Sequence, residues 1–265
     1  MGSITALILA GSRGPTDPVA MACGVSHKAL APIAGSAMLY RVISTLAQSP
    51  EVGRIVVTIE NSEQIAAHPA LVPFADRITF VEAAASPSLS VLRVLDCLPA
   101  PFPLLITTAD HPLLTPAMVR HFLEHQPAGC AASIALARAE TIRAAYPDTR
   151  RTYLRFRNGW FSGCNLFLLK DESAKTAVTF WRTIEAERKR PWRMVRQLGI
   201  ASLIGFLLGR LTLERALTSL GARVGLPLGY VEMPFAEAAI DVDKAADLNL
   251  AERILLSRVG KVEAG

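Results

Sequence analysis

The chain has 265 residues, 51% of them hydrophobic, and a net charge of +5. That length suits one large α/β domain or one domain with an elaborated insertion, and that apolar content excludes general disorder. The positive excess suits an anionic substrate, but it gathers between Arg182 and Arg196 rather than spreading, so nucleic acid is not the expected partner.

In chain order, an apolar, β-favouring run over Thr5–Ala10 predicts the first strand. It ends in Gly11-Ser12-Arg13-Gly14, and Lys28 follows in His27-Lys28-Ala29-Leu30. Exposed backbone N–H groups at the carboxyl end of a strand, with two cations close by, replace the hydration shell of a polyphosphate. The spacing is neither the G-x-G-x-x-G dinucleotide fingerprint nor a Walker loop, since no G-K-[ST] follows. Strands are next expected near Arg54–Ile59, Arg77–Val81, Pro103–Thr108 and Ala131–Leu136, with helices near Ala37–Gln48, Ser88–Cys97, Pro116–Glu124 and, at the end, Lys244–Ser257. Ser36 reads as a cap for the first helix and Thr115-Pro116 as a cap followed by an N1 proline. Thr152–Phe156 and Trp160–Leu169 flank Asn158-Gly159, the signature of a hairpin. Strands alternating with helices predict a mainly parallel sheet covered on both faces.

Residues 182–225 depart from that alternation and read as a helical, basic and apolar insertion in a single domain over 1–265. A charged helix tail, Glu185 to Arg190, is broken by Pro191, and Leu198–Leu213 follows, apolar apart from Arg210 and small polar residues. The stretch is shorter than the ~20 residues of a bilayer span. It reads first as a buried helix on the sheet. The basic cluster with Trp192 also fits a peripheral membrane contact, and a dimer contact is a third reading. Cys23, Cys97, Cys130 and Cys164 are scattered and never in C-x-x-C spacing, which points to a reducing, cytoplasmic setting without a cysteine zinc site. The amino terminus has no basic n-region, and its apolar run is too short for an export signal.

Two carboxylate motifs complete the chemistry. Pro103 to Asp110 is a buried strand that delivers a carboxylate to its carboxyl edge, after which His111-Pro112 turns the chain away. Open α/β sheets bind ligands at that edge, so Asp110 facing the first loop reads as a metal ligand rather than a turn cap. Near the end, Ile240-Asp241-Val242-Asp243 places two carboxylates on the same side of an extended segment, with Asp247 in the first turn of the last helix. A magnesium ion bridging nucleotide phosphates takes one or two carboxylates and keeps several waters, which Asp110 plus Asp243 would satisfy, with Asp241 the close second choice. His27 and His111 lack an H-x-H or H-E-x-x-H partner and read as orienting their loops.

Three motifs, Leu9-Ala10-Gly11-Ser12-Arg13 with His27-Lys28-Ala29-Leu30, Ala109-Asp110-His111-Pro112, and Ile240-Asp241-Val242-Asp243 with Asp247-Leu248, together resemble the MobA-like nucleotidyltransferases, a group including molybdopterin guanylyltransferase and sugar-phosphate nucleotidylyltransferases. The match in order and spacing spans roughly residues 4–170 and 228–257. The resemblance implies a Rossmann-like, glycosyltransferase-A-type α/β/α sandwich. It further implies attack of a small phosphomonoester on the α-phosphorus of a nucleoside triphosphate, with Mg2+ as cofactor and pyrophosphate released. It carries Leu9 to Gly14 over as the nucleotide loop: Ala10 and Gly11 border base and ribose, while Ser12, Arg13 and Gly14 cradle the β- and γ-phosphates. Lys28 would hold the α-phosphate and the incoming phosphate, with Arg13, Lys28 and Asp110 the catalytic groups. Ser88 and Ser90 occupy the place of the base-reading loop, and Gly163 and Asn165, in Ser162-Gly163-Cys164-Asn165, that of the glycine–asparagine turn touching the acceptor. Ser12 stands where most relatives have a second glycine, and Pro15 and Pro18 lie in the same loop.

In such a transfer the nucleophile is already anionic, so the protein supplies positioning and charge rather than a general base. The apolar segment and its basic neighbour admit a lipid-linked acceptor, in a monomer or homodimer. Two other classes fit less well. A glycosyltransferase on a similar sheet would put D-x-D after the middle strand, where Asp110 is followed by His111-Pro112. A non-catalytic nucleotide-binding module would explain Ser12 and the loop prolines.

Overall fold

The computed structural model describes residues 3–12, 14, 16–66, 68–187 and 209–263. Arg13 and Pro15, and residues 188–208 of the expected insertion with Pro191, Trp192 and Leu198 among them, lie outside the described residues.

Among the described residues one sheet of eight strands forms the centre. In chain order its strands are β1 (Ile4–Leu9), β4 (Val52–Ile59), β5 (Ile78–Glu82), β6 (Leu104–Thr108), β7 (Ala132–Arg138), β8 (Leu154–Phe156), β9 (Gly159–Leu169) and β10 (Leu228–Met233); β2 (Pro32–Ile33) and β3 (Ser36–Ala37) make a separate small hairpin. The order across the large sheet is β10-β7-β9-β6-β1-β4-β5, with β8 pairing to β9. β1 is parallel to both β4 and β6, β4 to β5, and β7 to β10, whereas β9 runs antiparallel to β6, β7 and β8. β8 and β9 form the hairpin expected around Asn158-Gly159, pairing Phe156 with Gly159.

The strands bury both faces, which is why they read as continuous apolar runs. Along β1, Ile4, Ala6 and Ile8 join one apolar layer and Leu7 the other; in β4, Ile55, Val57 and Ile59 oppose Val56 in the same way. Helices α2 (Met38–Gln48) and α5 (Pro116–Glu124) cover the first face, together with α6 (Ala139–Ala145). Helices α4 (Pro87–Cys97), α7 (Lys175–Glu187) and α8 (Leu213–Val224) cover the second. The fold is the expected three-layer α/β/α sandwich. A third apolar cluster joins α1 (Pro18–Cys23), the β2–β3 hairpin and the terminal helix α9 (Ala245–Glu263), and α3 (Ser62–Ala66) is a short turn after β4. Pro18 stands at the start of α1, where its missing N–H costs nothing, and the Asp17 side chain accepts from Val19 N and Ala20 N.

The topology selects one place for a ligand. From β1 the chain moves outward to β4 and β5, then crosses back to β6 on the other side of β1. The strand order therefore reverses between β1 and β6, and the crevice beyond their carboxyl ends is where such sheets bind ligands.

Candidate active site

Leu9, the last residue of β1, is in register with Thr108, the last of β6, so the first loop and Asp110 leave the sheet side by side. Backbone bonds fix both exits: Ala10 N donates to Thr58 O at 2.9 Å and Ala109 N to Leu9 O at 3.0 Å. Lys28 arrives from a single 3-10 turn, Lys28–Leu30, capped by His27, whose Nδ1 accepts from Ala29 N at 3.0 Å. Its ammonium reaches across the crevice and donates to Asp110 Oδ2 at 2.6 Å and to Asp243 Oδ1 at 3.1 Å. The Lys28 side chain is only 13% exposed. Burial alone would pull its pKa down, but the carboxylates of Asp110 and then Asp243 outweigh that and raise it, so the ammonium stays charged.

The segment carrying Asp243 is irregular rather than a strand, and it docks on the Asp110 turn through Val242 N, which donates to Asp110 O at 2.9 Å. Its two carboxylates serve different partners. Asp241 Oδ1 accepts from Arg151 at 2.6 Å and its Oδ2 from the Asn165 amide at 3.2 Å, whereas Asp243 meets Lys28. Burial raises the Asp241 pKa, the carboxylates of Asp243 and Asp110 add to the rise, and Arg151 opposes it. Arg151 also donates to Asp247 Oδ1 at 3.0 Å, and Asp247 Oδ2 accepts from Asp243 N at 3.2 Å. Asp247 thus ties the start of α9 to the site.

Asp110 Oδ1 is shielded from solvent and meets no partner among the described residues. That leaves one hard oxygen donor at the crevice, with Asp243 facing it across Lys28. No group of three or more His, Cys, Asp or Glu side chains able to hold a metal occurs among the described residues. His111, next to Asp110, is fully buried, and its ring faces the Glu237 backbone without a close hydrogen bond at either nitrogen. Burial pushes its pKa down to about 4, so the ring packs as a neutral group.

In the first loop, Ser12 N donates to both oxygens of Glu60, each at 3.1 Å, and Glu60 also lies 3.3 Å from His27 Nε2. Gly14 N donates to Ser12 Oγ at 2.9 Å, and Gly14 adopts a φ of 92°, where a side chain would be strained. The Ser88 and Ser90 hydroxyls are buried and committed within the fold. Ser90 Oγ accepts from Ala84 N at 2.9 Å, and Ser88 bonds to Glu185 of α7. Gly163 and Asn165 lie within β9 rather than in a turn. The pairing with β7 is irregular between Ile134 and Leu136, and Asn165 there takes a φ of 50° that asparagine tolerates.

The crevice therefore gathers the first loop, Lys28, Asp110, Asp243, Asp241 and Asn165, while Arg13 lies outside the described residues. Sequence reasoning missed Glu60 and Arg151. Glu60 carried a readable signal, a charge directly after the apolar run of β4, as Asp110 does after β6. Arg151 belongs to a second basic stretch, in which Arg143, Arg150, Arg151, Arg155 and Arg157 stand against a single acid, Asp148.

Residues 6–189 match the family described as the MobA-like NTP transferase domain. No curated protein sequence is similar to the chain. A hypothetical transferase structure from Thermus thermophilus is 30% identical, with a TM-score of 0.78, covering 93% of this chain and 99% of that one. Two further structures share the fold at lower identity. The 4-diphosphocytidyl-2C-methyl-D-erythritol synthase of Anaerococcus prevotii is 12% identical, with a TM-score of 0.59 and 96% of each chain covered. A CMP:2-keto-3-deoxy-manno-octonic acid synthetase complexed with CTP is 13% identical, with a TM-score of 0.58, covering 97% of this chain and 98% of that one.

Proposed function

The chain belongs to the MobA-like NTP transferase family, and from that premise we propose that it moves a nucleoside monophosphate from an NTP onto a small phosphomonoester, releasing pyrophosphate. The observation that carries this reading is the Lys28 ammonium held between Asp110 and Asp243 at the reversal point of the sheet. An oxygen of the acceptor phosphate attacks the α-phosphorus, and the bond to the β-phosphate oxygen breaks. Negative charge grows on the α-phosphate oxygens and on the departing pyrophosphate. Lys28 supplies fixed positive charge there, and Arg13 adds a planar fork suited to phosphate oxygens.

A magnesium ion held by Asp110 and Asp243 would neutralise phosphate charge. The unpartnered Asp110 Oδ1 and the all-oxygen donor set suit it, because this ion needs only one or two carboxylates beside the phosphates. Asp241, with both oxygens engaged by Arg151 and Asn165, holds the segment in place and leaves the metal to Asp243. Base reading falls to the backbone around residues 83–86 rather than to the Ser88 and Ser90 hydroxyls. Ala83 supports this, since a Cβ built on Gly11 would stand 3.5 Å from its own Cβ. Among the described residues no helix is long and apolar enough to cross a membrane, and the stretch that suggested a lipid-linked acceptor lies mostly outside them.

Pyrophosphate release, measured with each of the four common triphosphates against a panel of phosphomonoesters, tests the proposal. At least one pair is expected to turn over with magnesium and to stop with EDTA. Triphosphate binding with no release from any pair would replace this reading with that of a nucleotide-binding module.

A further inference from the structure

A cavity of about 610 Å3 opens between residues 145–150, at the end of α6 and just beyond it, and one stripe of α9. Its volume is that of a small-molecule site. Leu250 and Ile254 give it an apolar wall, and Arg150, Lys244 and Arg253 give it three cations. None of the three forms an ion pair with a described residue, and all three are exposed. Of the carboxylates lining it, Asp247 is committed to Arg151, which leaves Asp148 as the single opposing charge. Cations standing together without partners repel one another and favour an anion between them.

The cavity abuts the active site through one short segment. Lys244 directly follows Asp243, and Asp247 lines the cavity while accepting from Asp243 N at 3.2 Å. Arg253 lies seven residues beyond Ala246 on α9, roughly 10 Å along the helix. The cavity thus begins one residue beyond Asp243 and runs about two turns along α9.

We infer that this cavity is the distal half of the acceptor site and binds an acidic group, carboxylate or phosphate, that the acceptor carries away from its reacting phosphomonoester. The inference rests on the proposed function for the placement of that phosphomonoester. It narrows the acceptor to doubly anionic, chain-like molecules.

Titration calorimetry on the full chain compares three six-carbon probes that differ at one end: sorbitol 6-phosphate, 6-phosphogluconate and glucitol 1,6-bisphosphate. At least one doubly anionic probe is expected to bind about tenfold tighter than sorbitol 6-phosphate, the worth of one charge-assisted hydrogen bond. Arg253→Gln and Arg150→Gln should each close most of that gap while leaving triphosphate affinity unchanged. Equal binding of all three probes, no binding of any, or a gap that survives both substitutions overturns the inference. A parallel triphosphate titration separates the two readings. A chain that binds no triphosphate but keeps the Arg253-dependent gap loses the proposed function and keeps the anion cavity; the converse loses only the cavity.

Discussion

Lys28 neutralises two carboxylates that would otherwise repel each other and any phosphate. Replacing Lys28 or Asp110 by alanine is expected to lower turnover by ~10²–10³, the range for loss of one preorganised stabilising group, with an unchanged circular dichroism spectrum. Near-normal turnover of either variant, once the substrates are known, would remove both from the mechanism. His111 makes a separate prediction about stability. Its folded pKa of about 4 lies below its ordinary 6.5, so between those values the unfolded chain holds the extra proton. In metal-free buffer, stability is therefore full above about pH 6.5, falls as pH drops toward 4 and levels off below, by roughly 3 kcal/mol from this group. Urea melts at several pH values should show His111→Gln with a visibly shallower acid slope; an identical slope would mean the ring is not buried neutral. Asp110 was legible because a lone carboxylate ends an apolar strand. Glu60 has the same signature, but its meaning depends on His27 and Ser12, 33 and 48 residues away, and no local pattern shows that meeting.

At the scale of elements, the start of α9 is held to the Asp241 segment by Arg151, whose side chain is 7% exposed and spans Asp241 and Asp247. Arg151→Leu leaves two carboxylates without their cation, one of them 8% exposed, and is expected to cost about 3–5 kcal/mol in chemical denaturation. Adding Asp247→Leu should restore part of that loss; if it deepens the loss instead, the pair is not what secures the helix. The strands and helices with strong periodicity were legible within a residue or two: β1, β4, β6, β9, α4 and α5 among them. β10 was not. Gly225 and Pro227 precede it and Gly229 interrupts it, and both residue types weaken a strand pattern that only its pairing with β7 rescues. The irregular pairing that places Asn165 was invisible for the same reason, since register is settled between strands rather than within one.

At the scale of the whole molecule, the two-faced covering of the sheet was legible because every central strand is apolar on both sides. Which of its ends carries the site followed from the reversal between β1 and β6, a property of strand order that the sequence motifs only implied. The same layering grades the thiols. Cys97 is exposed, whereas Cys164 is buried and its thiol is pushed above its ordinary range by that burial. Under native conditions iodoacetamide should modify Cys97 early and spare Cys164 until the chain unfolds, as read by mass spectrometry. Equal labelling would mean that the sheet opens far more readily than its packing allows. The Glu60 carboxylate on Ser12 N has a kinetic corollary. One N–H cannot serve two anions at full strength, so on the proposed reading, with a nucleotide phosphate at Ser12 N, capture would be a displacement rather than the filling of a vacant seat. Its observed rate should therefore plateau at high nucleotide concentration, at the speed with which the resident side chain lets go.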